Sequence, residues 1–135
     1  MKNLLLVFAL LIGSIGFSQN LIVKNYTSCT KYVYAEWADG SCNAVPGAPG
    51  GWISIPPLGS INITTAAPGA GDLLRVRVTS AYMVETCEMI VLDNIFSPCW
   101  AGPITGTAHE CMCGGTLYTA DINSSMPGNH LINIY

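Results

Sequence analysis

Charged side chains are scarce in this sequence, and cations are the scarcest of them. Asp, Glu, Lys and Arg make up 10% of its 135 residues, against about a quarter in a typical domain. Five residues are Lys or Arg and eight are Asp or Glu, which gives a net charge of −3. With so few cations, we expect neither nucleic acid nor an anionic membrane surface to be a partner.

Long apolar runs are also missing, except at the N-terminus. Residues 1–18 read MKNLLLVFALLIGSIGFS, with Lys2 ahead of an uncharged run that ends in small residues. This run is shorter than the roughly 20 apolar residues that span a bilayer, and its layout is typical of a secretory signal peptide. We therefore predict a bacterial-type signal peptide over 1–18, cleavage after Ser18, and one domain over 19–135 without a transmembrane segment. The expected location is extracellular or at the cell surface, with the periplasm as an alternative.

The familiar catalytic patterns are absent as well. The sequence has no G-x-S-x-G elbow, no C-x-x-C redox pair and no D-x-D-x-D calcium loop. Its acidic residues are scattered singly, so no spacing selects the carboxylate pair that glycoside hydrolysis needs. The sequence therefore predicts a non-catalytic protein that needs no cofactor, and a small disulfide-rich enzyme or inhibitor is a minor alternative.

Six cysteines are present, and all of them follow the predicted signal peptide. They are Cys29, Cys42, Cys87, Cys99, Cys111 and Cys113. An even number of cysteines in an exported chain predicts three disulfides. Fifteen pairings are possible, and the sequence alone does not select one. The arrangement we favour joins Cys29 to Cys42 across a candidate hairpin, and joins Cys87 and Cys99 to Cys111 and Cys113 in some order.

Short apolar segments alternate with dense Gly/Pro turns along residues 19–135. In Leu74–Val78 the apolar residues alternate with Arg75 and Arg77, and in Lys31–Asp39 the odd positions, from Val33 to Trp37, are expected to face inward. About eight such strands and no helical period predict an all-β fold. We expect a disulfide-stapled antiparallel β-sandwich of Greek-key, Ig-like or jelly-roll-like type.

The segment HECMCGG carries the densest set of possible metal ligands. His109, Cys111, Met112 and Cys113 would suit Cu(I) or Zn if the two sulfurs were thiolates. The usual zinc spacing is C-x₂₋₄-C, however, and an oxidising compartment favours disulfides over thiolates. A periplasmic or extracellular metal-binding protein is therefore the alternative hypothesis, and the leading prediction for this segment is structural.

Aromatic residues provide the best hypothesis for ligand binding. The candidate binding residues are Trp52, Trp100, Tyr32 and Tyr34. Their rings are suited to stacking on sugars or to anchoring a protein partner. Four further aromatic residues, Trp37, Tyr26, Tyr82 and Tyr118, also offer stacking faces, and the alternative is that Trp37 and at least one other ring fill the core.

These features together predict an exported, non-catalytic binding or structural protein. Its expected partner is an extracellular protein, a glycan or a second copy of itself. Self-assembly is a sub-hypothesis, because the segments Leu21–Tyr26 and Leu131–Tyr135 would expose pairing edges if they lay at the sides of a sheet. Pairing of both segments within the domain is the simpler expectation.

Overall fold

The computed structural model describes residues 19–39, 41–46, 51–65, 73–81, 84, 87–93, 99, 102–126 and 129–135. Within them, all regular structure is β-strand. The ten strands are β1 (Gln19–Asn25), β2 (Lys31–Ala38), β3 (Ala44–Pro46), β4 (Ile53–Ile55), β5 (Ser60–Thr65), β6 (Leu73–Thr79), β7 (Met89–Asp93), β8 (Thr105–His109), β9 (Leu117–Met126) and β10 (Asn129–Ile134). This part of the chain thus contains no helix of the length and apolarity needed to cross a membrane.

The strands form two sheets that share one core. The first sheet has the order β5-β1-β10-β9-β8 and the second has the order β3-β2-β6-β7, with β4 also paired to β2. Buried side chains of both sheets belong to a single apolar cluster. The predicted all-β sandwich is confirmed, with ten strands in the described residues where about eight were expected.

The first and last strands pair with each other in the middle of the first sheet. β1 and β10 run parallel, with Ile22 opposite Leu131, while the other strand pairs are antiparallel. β1 also pairs with β5, and β10 also pairs with β9, so neither strand is an edge. The hypothesis that these strands assemble subunits through free edges is therefore wrong, because their backbone groups are already paired within the chain.

The core follows the alternation seen in the sequence. On β2, Val33, Ala35 and Trp37 are buried, and on β6 the apolar positions are buried while Arg75 and Arg77 lie on the outer face. Burial of a large apolar side chain contributes about 1.5–3 kcal/mol. Trp37, at 1% exposure, and Tyr118, at 2%, are core residues. Neither ring is available for the stacking role that the sequence left open.

Three disulfides connect Cys29 to Cys113, Cys42 to Cys99 and Cys87 to Cys111. All six cysteines are therefore paired, as predicted, but the favoured bond between Cys29 and Cys42 is wrong. These two cysteines precede and follow the eight-residue strand β2, which places them roughly 25 Å apart. The expected bond between Cys87 and either Cys111 or Cys113 is found, and Cys99 bonds to Cys42 instead.

Candidate functional site

Three of the four predicted aromatic residues come together on the outer face of the second sheet. The alternation of β2 directs Tyr32 and Tyr34 outward. Antiparallel pairing with β4 places Ser54 opposite Tyr32, so the same register brings Trp52, just before β4, beside Tyr34. We call Tyr32, Tyr34, Trp52 and the neighbouring Arg77 and Glu36 the aromatic surface. Trp100, the fourth predicted residue, lies outside the described residues.

The rings of Tyr34 and Trp52 are in contact. Their centroids are 5.6 Å apart and their planes are inclined at 45°. Both residues are half-buried, so one side of the ring pair is held against the protein. Such tilted contacts are among the favourable geometries of aromatic pairs. The pair is therefore an apolar element that is partly open to solvent.

Charged groups border this ring pair. The Arg77 guanidinium carbon lies 5.8 Å from the Tyr34 ring centroid, within the range of a cation–π interaction. Arg77 Nη2 is also 3.4 Å from Glu36 Oε2. Arg77 supplies hydrogen-bond donors and Glu36 supplies acceptors at the edge of the rings. The aromatic surface thus combines flat apolar area with paired polar groups of both signs.

A second ion pair lies farther along the same face. Arg75 Nε donates to Asp93 Oδ1 over 2.7 Å. This hydrogen bond raises the pKa of the Arg75 guanidinium. Asp93 is buried. Because Arg75 lies on β6 and Asp93 on β7, the pair connects these two strands. Arg77 and Glu36 are the charged groups beside the aromatic rings.

The residues of the predicted metal-binding segment have different structural roles. His109 ends β8, and its Nδ1 lies 3.0 Å from Glu88 Oε2 while its backbone N–H donates to the same carboxylate oxygen. These two contacts, the backbone bond first, lower the pKa of Glu88. Met112 is 68% exposed. Cys111 and Cys113 are both in disulfides, so a thiolate site with His109 would first require their reduction.

One buried pair was missed by the sequence reasoning. Lys31, at 0% exposure, and Glu110, at 4%, form an ion pair in the interior. The Lys31 Nζ atom also lies 4.4 Å from the centroid of the Tyr118 ring. Alternation along β2 contains the signal, because Lys31 shares the parity of Val33, Ala35 and Trp37. The strand pattern therefore directs the amine into the core.

Burial changes the titration of this cluster. It lowers the pKa of the Lys31 amine to about 8, because the charged form loses its hydration. Burial also raises the pKa of the Tyr118 phenol to about 12, and the nearby Glu88 carboxylate adds to this shift. The Tyr118 hydroxyl donates to the Val78 carbonyl oxygen over 3.3 Å. Tyr118 therefore stays neutral, and its ring covers the Lys31 amine.

Two sulfurs lie beside the buried carboxylate. Ligand atoms of Cys29, Cys113 and Glu110 are all within 4.8 Å of one another. In another oxidation state such a trio would suit a soft metal ion. Here the two sulfurs are bonded to each other, so the arrangement is a covalent bridge next to an ion pair.

The outer face of the first sheet presents a different surface. A groove of about 210 Å³ is lined by Asn20, Ile22, Lys24, Asn123, Asn129 and other residues of β1, β9 and β10. Nearby, the rings of Tyr26 and Tyr135 stack with centroids 5.5 Å apart and planes inclined at 8°. This face is mainly uncharged and polar, and its exposed tyrosines stack on each other.

No protein-family model, curated protein or solved structure matches this chain.

Proposed function

We propose that this chain is an exported, non-catalytic binding protein that acts outside the cell or at its surface and recognises a glycan through the aromatic surface. The observation that carries the proposal is the contact of Tyr34 and Trp52 on an outer sheet face, bordered by Arg77 and Glu36. Export is supported by the three disulfides, which are typical of an oxidising compartment, and by the signal-like residues 1–18.

The chemistry of this surface suits a sugar. A pyranose ring presents an apolar C–H face and a rim of hydroxyl groups. The Tyr34–Trp52 pair offers a flat apolar area for the first, and Arg77 and Glu36 offer donors and acceptors for the second. Binding sites commonly combine an apolar lining with a few placed polar groups. The charges of Arg77 and Glu36 balance, which favours a neutral glycan over an anionic one.

The proposal is tested by glycan-array screening of the purified chain, followed by calorimetric titration with the glycans that bind. We expect Trp52→Ala and Tyr34→Ala each to weaken binding at least tenfold, equivalent to about 1.4 kcal/mol. Tyr26→Ala is the matched control, because it removes an exposed ring from the other sheet and is expected to leave affinity unchanged.

Thermal unfolding of each variant checks that the fold is retained. An array on which no glycan binds above background would overturn the proposal. So would a glycan whose affinity falls equally with Tyr26→Ala and Trp52→Ala, because the binding surface would then not be the one proposed.

A further inference from the structure

The Lys31–Glu110 pair bridges the two sheets. Lys31 is the first residue of β2 in the second sheet, and Glu110 directly follows β8 in the first sheet. Both side chains point into the space between the sheets, where Lys31 is fully buried and Glu110 nearly so. A bond between these two side chains would therefore join the sheets through the core.

The Lys31 amine and the Glu110 carboxylate have few polar partners besides each other. The Lys31 Nζ atom and both Glu110 carboxylate oxygens form no other hydrogen bond within the described residues. The face of Tyr118 covers the amine, and the strand partner opposite Lys31 is Ile55, a member of the buried apolar core. In such surroundings charged groups are unfavourable, and transfer of the proton from the amine to the carboxylate gives a neutral amine and a neutral carboxylic acid.

The backbone around Glu110 is held firmly. Its N–H donates to the Thr116 carbonyl oxygen. The next residue, Cys111, is bonded to Cys87, and Cys113 is bonded to Cys29, two residues before Lys31. These covalent ties hold together the two backbone segments that carry Lys31 and Glu110. Effective concentrations reach about 10⁵–10⁸ M in intramolecular reactions whose reacting groups are well oriented.

We propose that Lys31 and Glu110 form an intramolecular isopeptide bond. The neutral Nζ attacks Cδ of the protonated carboxyl group and forms a new C–N bond. The C–O bond to one carboxyl oxygen then breaks, and that oxygen leaves with the carboxyl proton and one proton of the nitrogen as water. The products are a secondary amide and one water molecule. No oxidant, cofactor or activated group takes part.

The surroundings favour the amide over the ion pair. The amide removes two ionisable groups from the interior, where a charge pair loses more hydration than its attraction returns unless its geometry and hydrogen bonding are excellent. The released water leaves for the solvent. The bond would stand beside the Cys29–Cys113 disulfide and would join the same two regions of the chain, but reductants would not break it. A protein that acts outside the cell would then keep its sheets connected even when its disulfides are reduced.

Mass spectrometry of the purified chain tests the proposal. After complete reduction, alkylation and denaturation, we expect the intact mass to be one water molecule lower than the mass calculated from the sequence with all six cysteines alkylated. Trypsin is expected to cleave after Lys24, Arg75 and Arg77 but not after Lys31. The peptide containing Lys31 should be found joined to the peptide containing Glu110, and fragmentation should place the link at these two residues.

Amine labelling of the denatured chain provides an internal control. Lys24, which lies on the outer face of β1, should be labelled completely, while Lys31 should not react. The variant Lys31→Met should regain the full sequence mass. The wild-type measurement does not depend on whether that variant folds. A full sequence mass for the wild-type chain, together with equal labelling of Lys24 and Lys31, would overturn the proposal and leave a simple buried ion pair.

Discussion

Each face of the second sheet carries a pair formed by an acidic and a basic side chain, but the two pairs differ in their exposure to solvent. On its inner side, Lys31 meets Glu110 out of contact with solvent. On its outer side, Arg77 meets Glu36 at 3.4 Å, with the Arg77 side chain 37% exposed. Both pairs join an acid to a base. Only the outer pair keeps part of its hydration.

This difference decides what each pair can do. Water reaches the outer pair through Arg77, which is 37% exposed, while Glu36 is 13% exposed, so its attraction is partly screened and Arg77 remains available to a ligand. The inner pair is desolvated, so loss of one partner is costly and the charged state of both groups is disfavoured. The inner position therefore suits a structural bond between the sheets, and the outer position suits recognition.

The largest effect should follow removal of the inner carboxylate. Glu110→Ala leaves the Lys31 amine buried without a partner and prevents the proposed amide. We expect the free energy of unfolding to fall by about 3–5 kcal/mol, measured by urea denaturation with the disulfides intact. A loss below about 1 kcal/mol would show that the amine finds hydration and that the inner and outer pairs are equivalent.

The pH dependence of the same variant sharpens the comparison. Burial lowers the pKa of Lys31 from the ordinary 10.5 to about 8, so between these values the unfolded chain binds a proton that the folded variant does not. Stability of Glu110→Ala should therefore rise from about pH 8 to 10.5. In the wild-type chain an amide nitrogen does not titrate, and this rise should be absent.

Comparing wild type with Glu110→Ala removes the contribution of tyrosine ionisation to the pH dependence, because both chains contain the same tyrosines. Tyr118 has its pKa raised to about 12 and stays neutral throughout this range. A rise of equal size in both chains would mean that Lys31 carries a free amine in the wild type.

The fold was largely predictable because strand alternation is a local signal. The alternation at Leu74–Val78 gave the buried face of β6, and that at Lys31–Asp39 gave the buried face of β2. Sequence reasoning also identified Tyr32, Tyr34 and Trp52, because aromatic residues at outward positions or beside loops are unusual enough to notice. Their contact depends on the register of β2 with β4, which the sequence did not reveal.

The long-range partners could not be predicted in the same way. The disulfide between Cys29 and Cys113 spans 84 positions of sequence, and no local pattern relates its ends. The parallel pairing of β1 with β10 brings together the two ends of the described chain. Lys31 was visible as an inward position of β2, but its partner Glu110 follows from the packing of the two sheets. A single sequence therefore predicts the faces of strands better than their partners.

A smaller effect is expected at the ring that covers the Lys31 amine. Tyr118→Phe removes the hydroxyl that donates to the Val78 carbonyl oxygen and keeps the ring in place. The free energy of unfolding should fall by about 0.5–1.5 kcal/mol in urea denaturation, and the measured mass should still lie one water molecule below the mass calculated for this variant. Loss of more than about 3 kcal/mol, a size typical of breaking a buried charge pair, would show that the hydroxyl supports the Lys31–Glu110 pair directly.

The smallest effect on stability belongs to the outer pair. Glu36→Ala should lower the free energy of unfolding by at most about 1 kcal/mol, because solvent already screens its attraction to Arg77. A double-mutant cycle with Arg77→Ala measures that attraction, which should decrease further in high salt. If Glu36 accepts hydrogen bonds from a glycan, the same variant should weaken binding while barely changing stability. A coupling energy of about 3 kcal/mol or more would instead make the outer pair as important to the fold as the inner one. It would contradict the assignment of a structural role to the inner face of the second sheet and a binding role to its outer face.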